Sequence, residues 1–136
     1  MKEKLGLITM QKAVQDLVKE NTGIDTYDVP PVNAPAPLFY VQAIGKRDAS
    51  TKTSFRETII FWIHAIAKEG KSSVGVYELI QKLEEALTDD IKLPEGHEVL
   101  NVHEAGLQSI KDDPSGEKHA VVQYEITVFY GFKVKI

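Results

Sequence analysis

The sequence predicts an α+β fold, a mainly antiparallel sheet with two main helices packed on it. Three observations carry this. From His119 to Lys133 the chain alternates with period two: Val122, Tyr124, Ile126, Val128 and Tyr130 share one face, and Val121, Gln123, Glu125 and Thr127 share the other. Between Val74 and Leu87, residues Val76, Leu79, Ile80, Leu83 and Leu87 recur at helical spacing and form one apolar stripe. Between these kinds of pattern lies the run Thr58 to Ala67, apolar on both faces. A strand of that kind belongs in the interior of a sheet, with helices or a partner subunit on each side.

The elements follow in the order α-β-β-β-α-β-β. The first helix is expected from about Leu7 to Glu20, where Met10, Val14, Leu17 and Val18 make a stripe. Thr9 is its expected N-cap and Asn21-Thr22-Gly23 its stop. Ile24 to Val29 suits a short strand. Four prolines between Pro30 and Pro37 then fix φ, remove backbone donors and dictate a stiff, extended crossing. Leu38 to Gly45 is the second strand, with Phe39, Val41 and Ala43 on one face and Leu38, Tyr40 and Ile44 on the other. Lys46 to Ser54 is polar and basic, without apolar anchors, and is expected to be either a long hairpin tip or a mobile segment.

The central strand presents Ile59, Phe61, Ile63 and Ala65 on one face and Ile60, Trp62, His64 and Ile66 on the other. His64 is expected to be half-buried with a hydrogen-bond partner. The second helix is expected from Val74 to Leu87 with Ser73 as its cap, ending in the acidic, solvated group Glu84, Glu85, Asp89 and Asp90. Glu98 to Ile110 alternates loosely, with Val99, Asn101, His103, Ala105 and Leu107 opposite Leu100, Val102 and Glu104. Asp112-Asp113-Pro114-Ser115-Gly116 supplies a hairpin turn into the last strand.

The totals narrow the function. A chain of 136 residues is expected to form a single domain spanning 1–136. At that length a fold buries roughly two thirds of its unfolded surface, so no staples are required. The absence of cysteine removes disulfides, thiolate catalysis and thiolate metal sites. A net charge of −4 argues against binding nucleic acid with the whole surface. The longest apolar run is too short to span a bilayer, and the N-terminal helix lacks the apolar centre of a signal peptide, so a cytosolic protein is expected.

Two motifs suggest chemistry and fall short. Gly70-Lys71-Ser72 lies between a strand and a helix, where a phosphate-binding loop belongs, but Ala65 occupies the place of that loop's first glycine. His97 and His103 are six residues apart, roughly 20 Å along a strand, too far for one ion. No catalytic residue, cofactor site or metal site is assigned, and an enzyme is not expected.

Tyr27-Asp28-Val29-Pro30, the strand Pro37-Leu38-Phe39-Tyr40-Val41, the long apolar strand, the helix with Val76, Leu79, Leu83 and Leu87, and Ser109, the Asp-Pro-Ser-Gly turn and His119 follow one another along the whole chain. This order resembles the tail-completion and tail-terminator proteins of siphophages and related prophages. It implies a non-enzymatic head–tail joining protein without cofactors. It also implies a homo-oligomeric ring, commonly of six subunits, between the tail tube and the head connector. Such a protein works in the bacterial host cytoplasm during assembly and then in the virion. An acidic chain suits a channel through which DNA passes without sticking.

Assembly has a physical motive in the residues too: the strand edge at Leu38 to Gly45 is a template for pairing with another chain. The expected interface therefore comprises Leu38 and Phe39 on that edge, with the basic loop residues Lys46, Arg47 and Lys52 and the acidic hairpin residues Asp112 and Asp113. The isolated chain is expected to be monomeric if its loop orders only on its partner. The competing reading is a small-ligand or nucleotide-binding α+β module.

Overall fold

The computed structural model of the protein describes residues 4–133. Its elements are α1 (Leu7–Thr22), β1 (Thr26–Tyr27), β2 (Leu38–Asp48), β3 (Ser54–Ala67), α2 (Val74–Ala86), β4 (Glu98–Asp112) and β5 (Lys118–Phe132). They form one five-stranded sheet in the order β1-β2-β3-β5-β4, with β3 in the middle. β1 runs parallel to β2, and the other pairs are antiparallel.

α1 starts earlier than its sequence suggests. Gly6, not Thr9, is the N-cap; the Met10 N–H donates to the Gly6 carbonyl over 3.1 Å, and Leu5 is buried just ahead of it. The stop is where glycine puts it: Gly23 turns left-handed at φ 70° and its N–H closes on the Lys19 carbonyl. Ser73 caps α2 by position only. The hydroxyl that accepts the Val74 N–H belongs to Ser72.

Both helices lie on the same face of the sheet. Met10, Val14, Leu17 and Val18 from α1, and Val76, Leu79 and Leu83 from α2, join Phe39, Val41, Ile59, Phe61, Ile63, Val122, Tyr124, Ile126 and Val128 in one apolar cluster. Ile80 packs against it partly buried. The register expected for β5 holds, with its even-numbered residues inward. Among the described residues the reverse face carries no helix, so helices cover β3 on one side alone. Ile60, Trp62 and Ile66 there remain half-buried.

Three further sequence expectations change. First, Lys46, Arg47 and Asp48 are strand, paired with Ile59, Thr58 and Glu57, and the turn is confined to residues 49–53. Hydrogen bonds replace the missing apolar anchors. Asp48 Oδ1 accepts the Ser50 N–H and hydroxyl, the Ala49 N–H reaches the Arg56 carbonyl, and the Thr51 N–H reaches the Ser54 carbonyl. Second, β4 does not keep a simple alternation. Register shifts at Val99/Asn101, Glu104/Gly106 and Leu107/Ser109 change its phase, so Val99 and Val102 both pack against the core while Asn101 and His103 are exposed. His97 lies outside the strand, its ring edge-on to Tyr130. Third, Leu38 and Phe39 are 2% and 0% exposed. β1 covers that end of β2 through Thr26 opposite Phe39 and Tyr27 opposite Tyr40, so these two residues offer no surface to a partner.

Candidate functional site

The helix-free face is the most structured polar surface of the protein. Its residues come from β2, β3 and β5, where the register sets Gln42 beside Trp62, Tyr40 beside His64, and His64 beside Val121. Every second residue of each strand points here, so the face is built from residues the core does not use.

Two hydrogen-bonded groups fill it. In the first, the Tyr40 ring stacks on His64 with centroids 4.0 Å apart and planes inclined by 6°. His64 Nδ1 is 2.8 Å from His119 Nε2, and His64 Nε2 is 3.1 Å from Gln42 Oε1. An amide oxygen only accepts, so His64 carries its proton on Nε2, and its bare Nδ1 accepts the N–H of His119. Burial, and secondarily the neighbouring His119, push His64 down to about 4. Burial also lowers His119, with Asp113 opposing and Lys111 adding. The lone pair of His64 is spent inside the pair, so His64 serves as a fixed, neutral part of the surface.

In the second group, the Trp62 indole N–H donates to Gln123 Oε1 over 3.0 Å, and Gln123 Nε2 donates to Glu125 Oε2 over 3.4 Å. Arg47 closes the chain with a 2.6 Å contact to Glu125 Oε1, which holds the Glu125 carboxyl below its usual range. The Thr58 and Thr127 hydroxyls meet at 2.9 Å on the next rung. Of these residues, His64 was expected to be half-buried with a hydrogen-bond partner; it has the partner and is more deeply buried, at 7% exposed. Its partner is 55 positions away in the chain, a contact that strand register alone creates.

The expected interface residues are dispersed. Lys46 and Arg47 lie on the outer strand β2, and Lys46 reaches the buried Glu57 carboxylate over 3.6 Å. Lys52 is at the exposed tip of the 49–53 turn. Asp112 and Asp113 are at the other end of the sheet, where Asp112 pairs with Lys118 at 2.6 Å and the Asp113 carbonyl accepts the Gly116 N–H at 2.8 Å. The 14 residues of β3 separate the two turns by roughly 45 Å. The basic and acidic loops of one copy therefore lie at opposite ends of the sheet.

Gly70-Lys71-Ser72 lines a cleft of about 490 Å³ with Ile24, Pro37 and Leu79. The loop is exposed and short, confined to residues 68–73 between β3 and α2. Among the described residues, no group of three or more histidine or acidic side chains is placed to hold a metal ion, and no helix is long and apolar enough to cross a membrane.

A five-stranded, mainly antiparallel sheet with both helices on one face defines an α+β protein. The chain belongs to the family described as putative tail termination proteins, whose model matches residues 1–136. Among solved structures it is similar to a chain of the virion of a native gene transfer agent (GTA) particle. The two are 18% identical with a TM-score of 0.67, over 89% of this chain and 95% of that one, and share the fold. No curated protein sequence matches it.

Proposed function

We propose that this protein is a structural, non-enzymatic part of phage head–tail joining that closes the tail as a ring of identical subunits between the tail tube and the head connector. Membership of the tail-termination family supports this reading. The observation that carries the assembly part is the one-sided placement of the helices. It leaves Ile60, Trp62 and Ile66 half-buried on a face shared with Tyr40, His64, Gln123 and Glu125, and among the described residues leaves β4 and most of β2 with free outer edges. The protein acts in the host cytoplasm while tails assemble and is retained in the virion. Passing DNA meets a chain of net charge −4, which limits sticking.

Within this reading the basic end of the sheet, with Lys46, Arg47 and Lys52, meets a neighbouring subunit or the tail tube. Three measurements test the proposal. Light scattering of the purified chain, alone and on tail tubes, reports a closed oligomer; a particle mass of one subunit in both conditions would refute the ring. Replacing Lys46, Arg47 and Lys52 with Ser lowers the yield of joined particles while leaving the fold unchanged. Unchanged joining by a folded triple variant removes the basic end from the contact. Calorimetry with a magnesium nucleotide is expected to give no heat of binding; micromolar affinity lost in Lys71→Ala would favour the ligand-binding alternative instead.

A further inference from the structure

We infer that neighbouring copies join by strand pairing, with the outer edge of β4 of one copy antiparallel to the free part of β2, Gln42 to Asp48, of the next. The inference rests on the ring reading above and names the surfaces that would build it. The sheet order β1-β2-β3-β5-β4 leaves the whole outer side of β4 open, whereas β1 covers β2 only at Phe39 and Tyr40.

Direction favours this pair. β2 runs toward the 49–53 turn, and β4 runs away from that end toward the hairpin at residues 113–117. Copies in a ring share one orientation about its axis, so β4 of one meets β2 of the next antiparallel, the geometry of the rest of the sheet.

Length fits as well. β1 already occupies the place beside the start of β2, so an incoming β4 must leave the ladder there. β4 is bulged at Glu104/Gly106 and again at Leu107/Ser109, and Gly106 has φ +113°. Bulges bend a strand away from its partner. The straight part that remains, Asn101 to His103, matches Gly45 to Arg47, which is itself bounded by the bulge at Ala43/Gly45. A ladder stopped at both ends gives one finite contact and not an open-ended template.

Charge favours the same register. Within one copy, Arg47, Thr58, Thr127 and Asn101 share a rung, and Lys46, Ile59, Ile126 and Val102 share the next. Copies set side by side without axial offset extend those rungs, so Arg47 faces Asn101 and Lys46 faces Val102. Lys46 then lies diagonal to Glu104 on the same face, within reach of a long side chain. Glu104 sits against Glu84 of α2; burial and that second carboxylate raise its pKa. The Lys46 ammonium of the neighbour supplies the cation that this acid pair lacks. In its own copy, Lys46 is half-exposed and only loosely held, at 3.6 Å from Glu57.

The chain contains no cysteine, so introduced thiols are the only ones. Arg47→Cys, Asn101→Cys and the double variant are purified, sized by light scattering and treated with copper phenanthroline or a short bismaleimide. The double variant is expected to cross-link into a ladder ending at the ring mass, while each single variant stays uncross-linked because a head-to-tail contact never brings like positions together. Rings by light scattering without a ladder in the double variant overturn the strand pairing and leave the ring reading standing. Dimers in a single variant overturn it in favour of a two-fold contact. Absence of any oligomer at all removes the ring reading and the pairing with it. As a second measure, Lys46→Glu is expected to weaken assembly at least tenfold, and adding Glu104→Lys to restore it; no rescue, in folded proteins that still form rings, also counts against the register.

Discussion

Acidification tests the His64–His119 pair directly. His64 is 7% exposed and sits at about 4, against an ordinary value of 6.5. The groups around it are His119, Tyr40, Trp62 and Gln42, with Asp113 and Lys111 acting on His119. The folded value lies below the unfolded one, so the unfolded chain takes up this proton first as pH falls. The stabilisation is therefore complete above about pH 6.5 and is lost progressively down to about pH 4. Integrating between pH 7 and pH 5 gives a loss of about 2 kcal/mol from His64 alone. At a slope of about 2 kcal/mol per molar urea, the unfolding midpoint falls by about 1 M. His64→Gln removes the titrating group and leaves every other carboxylate and histidine in place, so its midpoint is expected to fall by about 1 M less than that of the unchanged chain over the same interval. The absolute stability of the variant is immaterial, because only the difference in pH dependence is read. Urea titrations followed by Trp62 fluorescence at pH 7, 6 and 5 supply it. Equal losses in both proteins would refute the assignment of a buried, neutral His64 and the hydrogen-bond directions drawn from it.

The remaining predictions concern stability. Tyr130 donates its hydroxyl to the Glu57 carboxylate over 2.5 Å, and Glu57 is 5% exposed, so Tyr130→Phe should cost about 1.5–3 kcal/mol by chemical denaturation; a loss under about 0.5 kcal/mol would show that Lys4 and Lys46 suffice for this carboxylate. Phe39→Ala should cost about 3–5 kcal/mol in the isolated chain, and an effect seen only on assembly would return Phe39 to the interface. Gly116 has φ 88°, and an added Cβ would lie 3.3 Å from Glu69 Cβ, so Gly116→Ala should lower stability by about 1–2 kcal/mol, measured by thermal unfolding, and a neutral result would mean the hairpin tip relaxes freely.

The sequence by itself determined the element order, the inward face of β5, the helix stripes, the central place of β3 and the glycine stop of α1. Each of these is written in side chains two to four positions apart, the range over which strand and helix periodicity operate. Only the tertiary structure decided which faces and edges stay open. A strand apolar on both sides, such as Ile59 to Ile66, looks doubly covered, yet both helices pack on one side and leave Trp62 and Ile60 half-exposed. Phe39 reads as an edge residue until β1 returns to cover it, and Val99 and Val102 read as opposite faces until a bulge brings both to the core. The polar groups of the open face were equally out of reach of local pattern: the Arg47–Glu125 contact joins residues 78 positions apart, and His64 and His119 are 55 apart. Pairing register across the sheet, not spacing along the chain, places such side chains together, and that register exists only once the strands have assembled.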